Sequence, residues 1–466
     1  MESNVGVIKN SKAHSRYVFA FFYTIIILGE MALMSTMDVN GSSNYAFSYS
    51  VLILFNLLLQ TFVLYRTIGL VNFFYLFVVF YYVFHFGQVI MLGIFPWYEY
   101  DYDNYVETYM SRNPAHLKDT LVLCVNCINI FVLGALLAPP IGSKKRINRE
   151  KYDYKKICKV TFFILFGFRI ALDAVAMFVS FYLGYSGTWE TILPGVFSAL
   201  GVMGYCVIPV YYSSLEGRKK KRFLIFIVIY LLFTMLSGHR GHQTICLAGL
   251  MIVYLLQRPN KIGVKNAILM GLLLLVGLKF LDFIFDLRAE GLNAYLNNGL
   301  SKGGGTTNII LETIGTFGET IFTPYLVLEN YKSISPFWGE CFIKSIATIV
   351  PDITGDLKDN NNEAIFARMV GEGHTIGGSF AGEMFYNFGN SYYIPTLLIG
   401  MFFSRLSDKV SYFIKNERVG EAFLPLSICV IFLWWVRDSI GNITREIVWL
   451  FILFAILKSI FKFRKA

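Results

Sequence analysis

Long apolar blocks alternate with short polar connections along the whole chain. Twelve blocks stand out, near residues 17–36, 47–65, 70–95, 119–140, 160–183, 194–213, 223–238, 243–257, 266–284, 391–404, 422–438 and 444–460. An apolar helix of about 20 residues crosses about 30 Å of hydrocarbon. The pattern therefore predicts an all-α polytopic membrane protein of about 12 transmembrane helices. A membrane β-barrel would need short strands of alternating polarity, and that pattern is absent. One connection breaks the rhythm, the large extracytoplasmic loop at 285–390 between the ninth and tenth spans. A connection of this length is usually functional or a domain in itself. The expectation is a single bundle over 1–466 with this loop inserted. Within the loop, Asn308–Glu329 is too polar to span and is predicted to lie along the membrane surface. Phe337–Val350 is expected to enter the interface before Pro351 stops it.

Composition agrees with the pattern. The chain has 466 residues, 55% apolar and only 15% charged, with mean hydropathy +0.55. Soluble domains carry about 25% charged residues. A soluble enzyme, a disordered chain and a disulfide-stapled secreted domain are excluded. The net charge of +10 does not imply nucleic acid. When the connections are sorted by side, 28 of the 41 basic residues fall on one of them. By the positive-inside bias that side is cytoplasmic. Both termini are then predicted cytoplasmic. The first span carries Glu30 and no small-residue cleavage site, so it reads as a retained helix. Of the seven cysteines only Cys341 lies in an outer loop, and Cys124 and Cys127 have a helical packing spacing inside a span. No phosphate-binding loop, dinucleotide fingerprint, G-x-S-x-G or H-E-x-x-H occurs. Asp101-Tyr102-Asp103 forms a D-x-D, but it sits in a run rich in tyrosine and acid and carries no metal assignment.

Ionisable groups at membrane depth mark functional or structural sites, because they are expensive there. Arg169 and Asp173 are one turn apart and are read as a structural ion pair. Glu30, His85 and Gln88 are read as interhelical hydrogen-bonding groups. The segment Ser237-Gly238-His239-Arg240-Gly241-His242-Gln243 separates two blocks, each too short to span alone. Irregular backbone at that depth must line a cavity or be buried in protein. Arg240, Arg288, Arg437 and Arg445 are all placed near one outer membrane surface. Guanidinium groups bind phosphate oxygens through bidentate charge-assisted bonds, so such a set suits a diphosphate. Farther on, Glu383 and Asn387 share one face of a short helix, and Ser379 lies one turn earlier as its cap. Glu383 or His374 is a candidate base for a sugar hydroxyl. His239 and His242 are candidates for positioning substrate. Tyr386, Trp434 and Trp435 are candidates for stacking on sugars or contacting a lipid chain.

The chain resembles the bacterial O-antigen and oligosaccharide repeat-unit polymerases of the Wzy type. Three features carry the resemblance. The first is S-G-x-R-G between two apolar blocks, here Ser237, Gly238, Arg240 and Gly241. The second is G-S-x-x-x-E-x-x-x-N-F-G after a large external loop, here Gly378, Ser379, Glu383, Asn387, Phe388 and Gly389. The third is an arginine ending the penultimate span, here Arg437. The resemblance implies a membrane glycosyltransferase of GT-C type, without cofactor or metal. Its substrates would be undecaprenyl-diphosphate-linked oligosaccharides, joined into O-antigen or capsular polysaccharide outside the cytoplasmic membrane. Expected partners are the bilayer and the chain-length regulator and flippase of the same pathway. The resemblance points to Arg240, Glu383, Asn387 and Arg437 as site residues. Position and chemistry alone add Arg288 on the diphosphate beside Arg240 and Arg437, His374 as the alternative base to Glu383, and Ser379, Tyr386, Arg445, His239 and His242 beside Asn387 as expected substrate contacts. The alternatives are a ligase of the same layout, a transporter of lipid-linked sugars, and an acyltransferase using His85.

Overall fold

The computed structural model describes residues 2–37, 45–98, 104–139, 153–183, 195–235, 241–258, 309–334, 338–347, 349–350 and 377–461. Among these residues all regular structure is helical. In chain order the helices are α1 (Glu2–Thr36), α2 (Tyr45–Thr67), α3 (Phe73–Ile94), α4 (Tyr105–Thr108) and α5 (Pro114–Leu137). They continue with α6 (Tyr154–Leu183), α7 (Gly195–Ser214), α8 (Gly217–Met235) and α9 (Gly241–Leu256). The loop region contributes α10 (Ile309–Phe317), a 3₁₀ turn (Gly318–Ile321), α11 (Phe322–Ile334), α12 (Glu340–Ala347) and α13 (Phe380–Phe388). The chain ends with α14 (Tyr393–Lys415), α15 (Val419–Trp434) and α16 (Ile440–Ile460).

Every predicted span except the ninth falls on one of these helices; the ninth lies outside the described residues. Among the described residues, six helical segments are long and apolar enough to cross a membrane: Ser15–Thr36, Tyr45–Thr67, Phe73–Ile94, Pro114–Leu137, Tyr154–Phe178 and Ile440–Ile460. Ala199–Ser214, Gly241–Leu256 and Val419–Trp434 are apolar but shorter. Large apolar side chains cover the outside of the bundle, among them Phe21, Leu58, Phe178 and Ile229. An exposed apolar surface of this kind belongs against lipid.

The bundle is held at its centre by the crossing of α5 and α14. Gly134 and Gly400 make that crossing possible, since each presses its Cα against the backbone of the other helix. A Cβ on Gly134 would run into the Leu397 carbonyl, and one on Gly400 into the Phe131 carbonyl. Gly400→Leu is therefore expected to lower the thermal midpoint of the detergent-solubilised protein, since overpacking costs about 1–3 kcal/mol or more. A midpoint equal to that of the unmodified protein would contradict the crossing. Next to it lies an aromatic core. Phe74 stacks on Phe131 at 4.7 Å, Phe403 on Phe432 at 4.2 Å, and Phe380 meets Phe77 edge-on at 5.6 Å. This core joins α3, α5, α13, α14 and α15 and forms the floor beneath the candidate site.

Several polar groups inside the bundle bond from one helix to another. Asn129 donates to Glu30 at 3.0 Å. Its side-chain oxygen accepts from Tyr23, Asn56 and Gln60 at 2.8, 2.9 and 2.8 Å. Arg169 donates to Asp173 at 2.9 Å through Nε, and the hydroxyls of Tyr205 and Tyr230 complete the carboxylate's shell. Both expectations, an interhelical bond for Glu30 and an ion pair for Arg169–Asp173, match this arrangement. At one end Arg16 pairs with Asp408 at 3.0 Å and also donates to the Ala138 carbonyl, which ties α1 to α5 and α14.

The segment expected along the membrane surface has a protein partner on one side. α10, the 3₁₀ turn and α11 fold onto α3, α5 and α13, and Ile321, Thr323 and Val327 are buried there. Gly318 meets Gly87 and Gln88 of α3 so closely that a Cβ on Gly318 or Gly87 would strike the opposing backbone.

Candidate active site

Three pieces of chain meet at the loop end of the bundle. Gly377–Ser379 runs beside the turn Arg437–Ser439 that links α15 to α16. Gly378 lies against the backbone of Asp438 and Ser439, where no side chain fits. Thr323 of α11 donates to the Gly377 carbonyl at 3.0 Å and brings the loop helices to the same point.

Ser379 then starts α13. Its backbone is extended and its hydroxyl accepts from the Gly382 N–H at 3.2 Å, which is a helix N-cap. The same hydroxyl lies 2.8 Å from His85 Nε2. His85 Nδ1 is 3.2 Å from the Tyr81 carbonyl, which can only accept. The proton therefore sits on Nδ1, and Ser379 donates to Nε2. Ser379 and His85 are both fully buried, so this bond pins α13 to α3.

Glu383 is fully buried as well. Its carboxylate accepts from the Trp435 indole at 2.7 Å and from the Ile440 N–H at 3.0 and 3.1 Å. Ile440 opens α16, so the carboxylate sits at the positive end of that helix. These donors offset the desolvation of a buried anion, and the bonds hold α13 to both helices that flank Arg437. Trp435 is 2% exposed and wedged between Phe380 and Phe432 at 5.0 and 5.1 Å. Its role in this structure is to hold Glu383, and no face of it is left for a sugar.

Asn387, one turn after Glu383, donates to the Glu383 carbonyl at 2.7 Å and accepts from the Cys341 N–H at 2.6 Å. It fastens the start of α12. Tyr386 is buried and its hydroxyl lies 3.4 Å from Glu340. Burial, together with the Glu340 carboxylate, pushes its phenol well above the usual range. Ser379, Tyr386 and Asn387, expected to contact substrate, thus carry structural bonds within the protein.

Arg437 stands differently. The Arg437 side chain is about one-third exposed (35%) and forms an ion pair with Glu319 of the 3₁₀ turn. Among the described residues, Glu319 is the guanidinium's one partner. His242 packs its ring 4.3 Å from Trp434 and 6.3 Å from Tyr205. Gly241, the residue after Arg240, abuts the Trp434 ring so tightly that a Cβ would not fit. The start of α9 is thereby joined to the end of α15, three residues before Arg437. Arg445 lies in the second turn of α16. It donates to Asn442 at 2.9 Å, and Asn442 donates to Asp438 at 2.8 Å.

The structure therefore brings Arg437, His242, Ser379, Glu383, Asn387 and Arg445 into one neighbourhood. Arg240, His239, Arg288 and His374 lie outside the described residues. Sequence reasoning did not find Glu319, which stands 118 residues from Arg437 with no spacing relation to it. It named His85 without its partner Ser379, which is 294 residues away.

No curated protein and no solved structure matches the chain. A family comparison does, over residues 16–465. This multi-pass helical chain belongs to the family of the O-antigen polysaccharide polymerase Wzy.

Proposed function

We propose that this polysaccharide polymerase is a GT-C-type glycosyltransferase acting on undecaprenyl-diphosphate-linked repeat units at the outer face of the cytoplasmic membrane. A hydroxyl of the acceptor's sugar attacks the anomeric carbon of the donor glycan. The bond from that carbon to the diphosphate breaks, and its electron pair stays on the departing oxygen. Charge on the diphosphate grows in the transition state, so preorganised cations there act directly on the barrier. Arg437 supplies such a cation, with Arg240 and Arg288 as further ligands and Arg445 behind them. His242 positions the substrate. Both termini lie in the cytoplasm in this reading, and the regulator of chain length and the flippase of the pathway are the protein's partners.

The observation that carries the proposal is Arg437. It is the half-open guanidinium at the junction of the G-S segment, the α15–α16 turn and the loop helices. Glu383 supports it from below. The carboxylate is engaged by Trp435 and Ile440, so we assign it to holding this junction. His374 remains the candidate base.

The test is reconstitution. Purified protein given lipid-diphosphate-linked repeat units alone should yield a ladder of glycans spaced by one repeat, with no nucleotide sugar present. Passage of the lipid-linked substrate across the vesicle membrane with no new glycosidic bond would instead establish transport and overturn the proposal.

A further inference from the structure

We propose that Glu319 is a built-in counter-ion of Arg437, displaced when the substrate's diphosphate binds and returning to expel the diphosphate product. The inference rests on the reading of Arg437 as a diphosphate ligand. It adds a residue and a step to that reading.

The first observation is the pair itself. Glu319 Oε1 meets Arg437 Nη2, and the two side chains are 34% and 35% exposed. Neither is sealed in the protein, so an incoming anion has access to both. The second is the mounting of Glu319. The 3₁₀ turn that carries it is fixed on α3 by the Gly318–Gly87 contact and by Phe317, which stacks on Phe84 at 5.0 Å. On the other side, Thr323 bonds the Gly377 carbonyl beside Arg437. Glu319 is thus presented from a rigid support and not from a swinging loop. The third is the nature of the bond. A single carboxylate on one guanidinium nitrogen is a weak, exchangeable pair at this exposure. A diphosphate brings more charge and several oxygens, and it can engage the guanidinium through two parallel bonds. It therefore wins the exchange, while an ordinary carboxylate or monoanion gains little over Glu319.

The same competition acts after transfer. The product is a lipid diphosphate still bound to Arg437, and tight retention would limit turnover. Glu319, held within reach, recaptures the guanidinium and lowers the product's affinity. Every anion that binds Arg437 must displace the same carboxylate, so removing its charge strengthens all such binding.

Glu319→Gln keeps the size of the side chain and removes its charge. Inorganic pyrophosphate serves as the probe, measured as a competitor of ladder formation by the purified protein. In Glu319→Gln its inhibition constant should fall roughly fivefold. Donor KM and kcat should fall together, because release slows, while the rate of a single turnover stays near that of the unmodified protein. Loss of a merely structural contact would weaken pyrophosphate and slow the single turnover, and that result would overturn the proposal. Arg437→Ala separates the two levels, read by direct calorimetric binding of pyrophosphate because that variant makes no ladder. If it abolishes pyrophosphate binding while Glu319→Gln leaves the affinity unchanged, the counter-ion role is wrong and the diphosphate role of Arg437 stands. If Arg437→Ala leaves pyrophosphate binding intact, the diphosphate role itself falls.

Discussion

Arg437→Ala should stop polymer growth while leaving the protein inserted and folded. The guanidinium is about one-third exposed, and its bond within the described structure is to Glu319, itself 34% exposed. Removing it takes little from the packing beneath. Its effect falls on the reaction. A single preorganised donor aimed at developing negative charge is worth about 10²–10³ in rate. A full positive charge on a diphosphate leaving group should reach at least the upper part of that range. Arg437→Lys restores a charge without the planar fork, so recovery should be partial. The measurement is the rate of ladder formation by each purified variant, with thermal unfolding as the control for folding. A Lys variant equal to the original would show that only a point charge is needed. An Ala variant with an undiminished rate would remove Arg437 from the reaction.

Glu383→Ala should damage both stability and activity. The carboxylate is fully buried and holds the Trp435 indole and the first N–H of α16. Truncation leaves both donors unpaired in the protein interior, at a cost of about 3 kcal/mol. Trp435 and Ile440 bracket Arg437 in the chain, so the guanidinium loses its fixed position when they shift. A displacement of this kind is sufficient to lower catalysis by about 10²-fold. Glu383→Gln should do less harm to stability, since it keeps one acceptor oxygen and nearly the same volume. Thermal unfolding in detergent and ladder formation, measured on the same preparations, check both parts. An Ala variant with the original midpoint would show that the buried carboxylate is not what joins α13 to α16.

The architecture was legible where the physics is local. Apolar blocks long enough to cross hydrocarbon became helices, because the backbone in lipid has to satisfy its own hydrogen bonds. The turn spacing of Glu383 and Asn387 put both on one helix, and Ser379 is its cap. Arg169 and Asp173, also one turn apart, are a pair. What was not legible depends on approach between distant segments. Gly134 and Gly400, or Gly87 and Gly318, carry no periodic signal, yet they decide which helices touch. The packing of the loop helices on α3 and α5 is one consequence that no local pattern announced. Glu383 shows the limit most clearly, since the spacing of the motif gave no sign of its burial or of the Trp435 and Ile440 donors around it.

The central claim is that a glycosidic bond forms as a lipid diphosphate departs under the charge of Arg437. The most direct measurement counts both products in one reaction. Purified protein is mixed with lipid-diphosphate-linked repeat units, and free lipid diphosphate and new glycosidic linkages are followed together over time. Equal numbers of each are expected at every time point, and neither product from Arg437→Ala. Linkages accumulating without released lipid diphosphate, or at the same rate without Arg437, would contradict it.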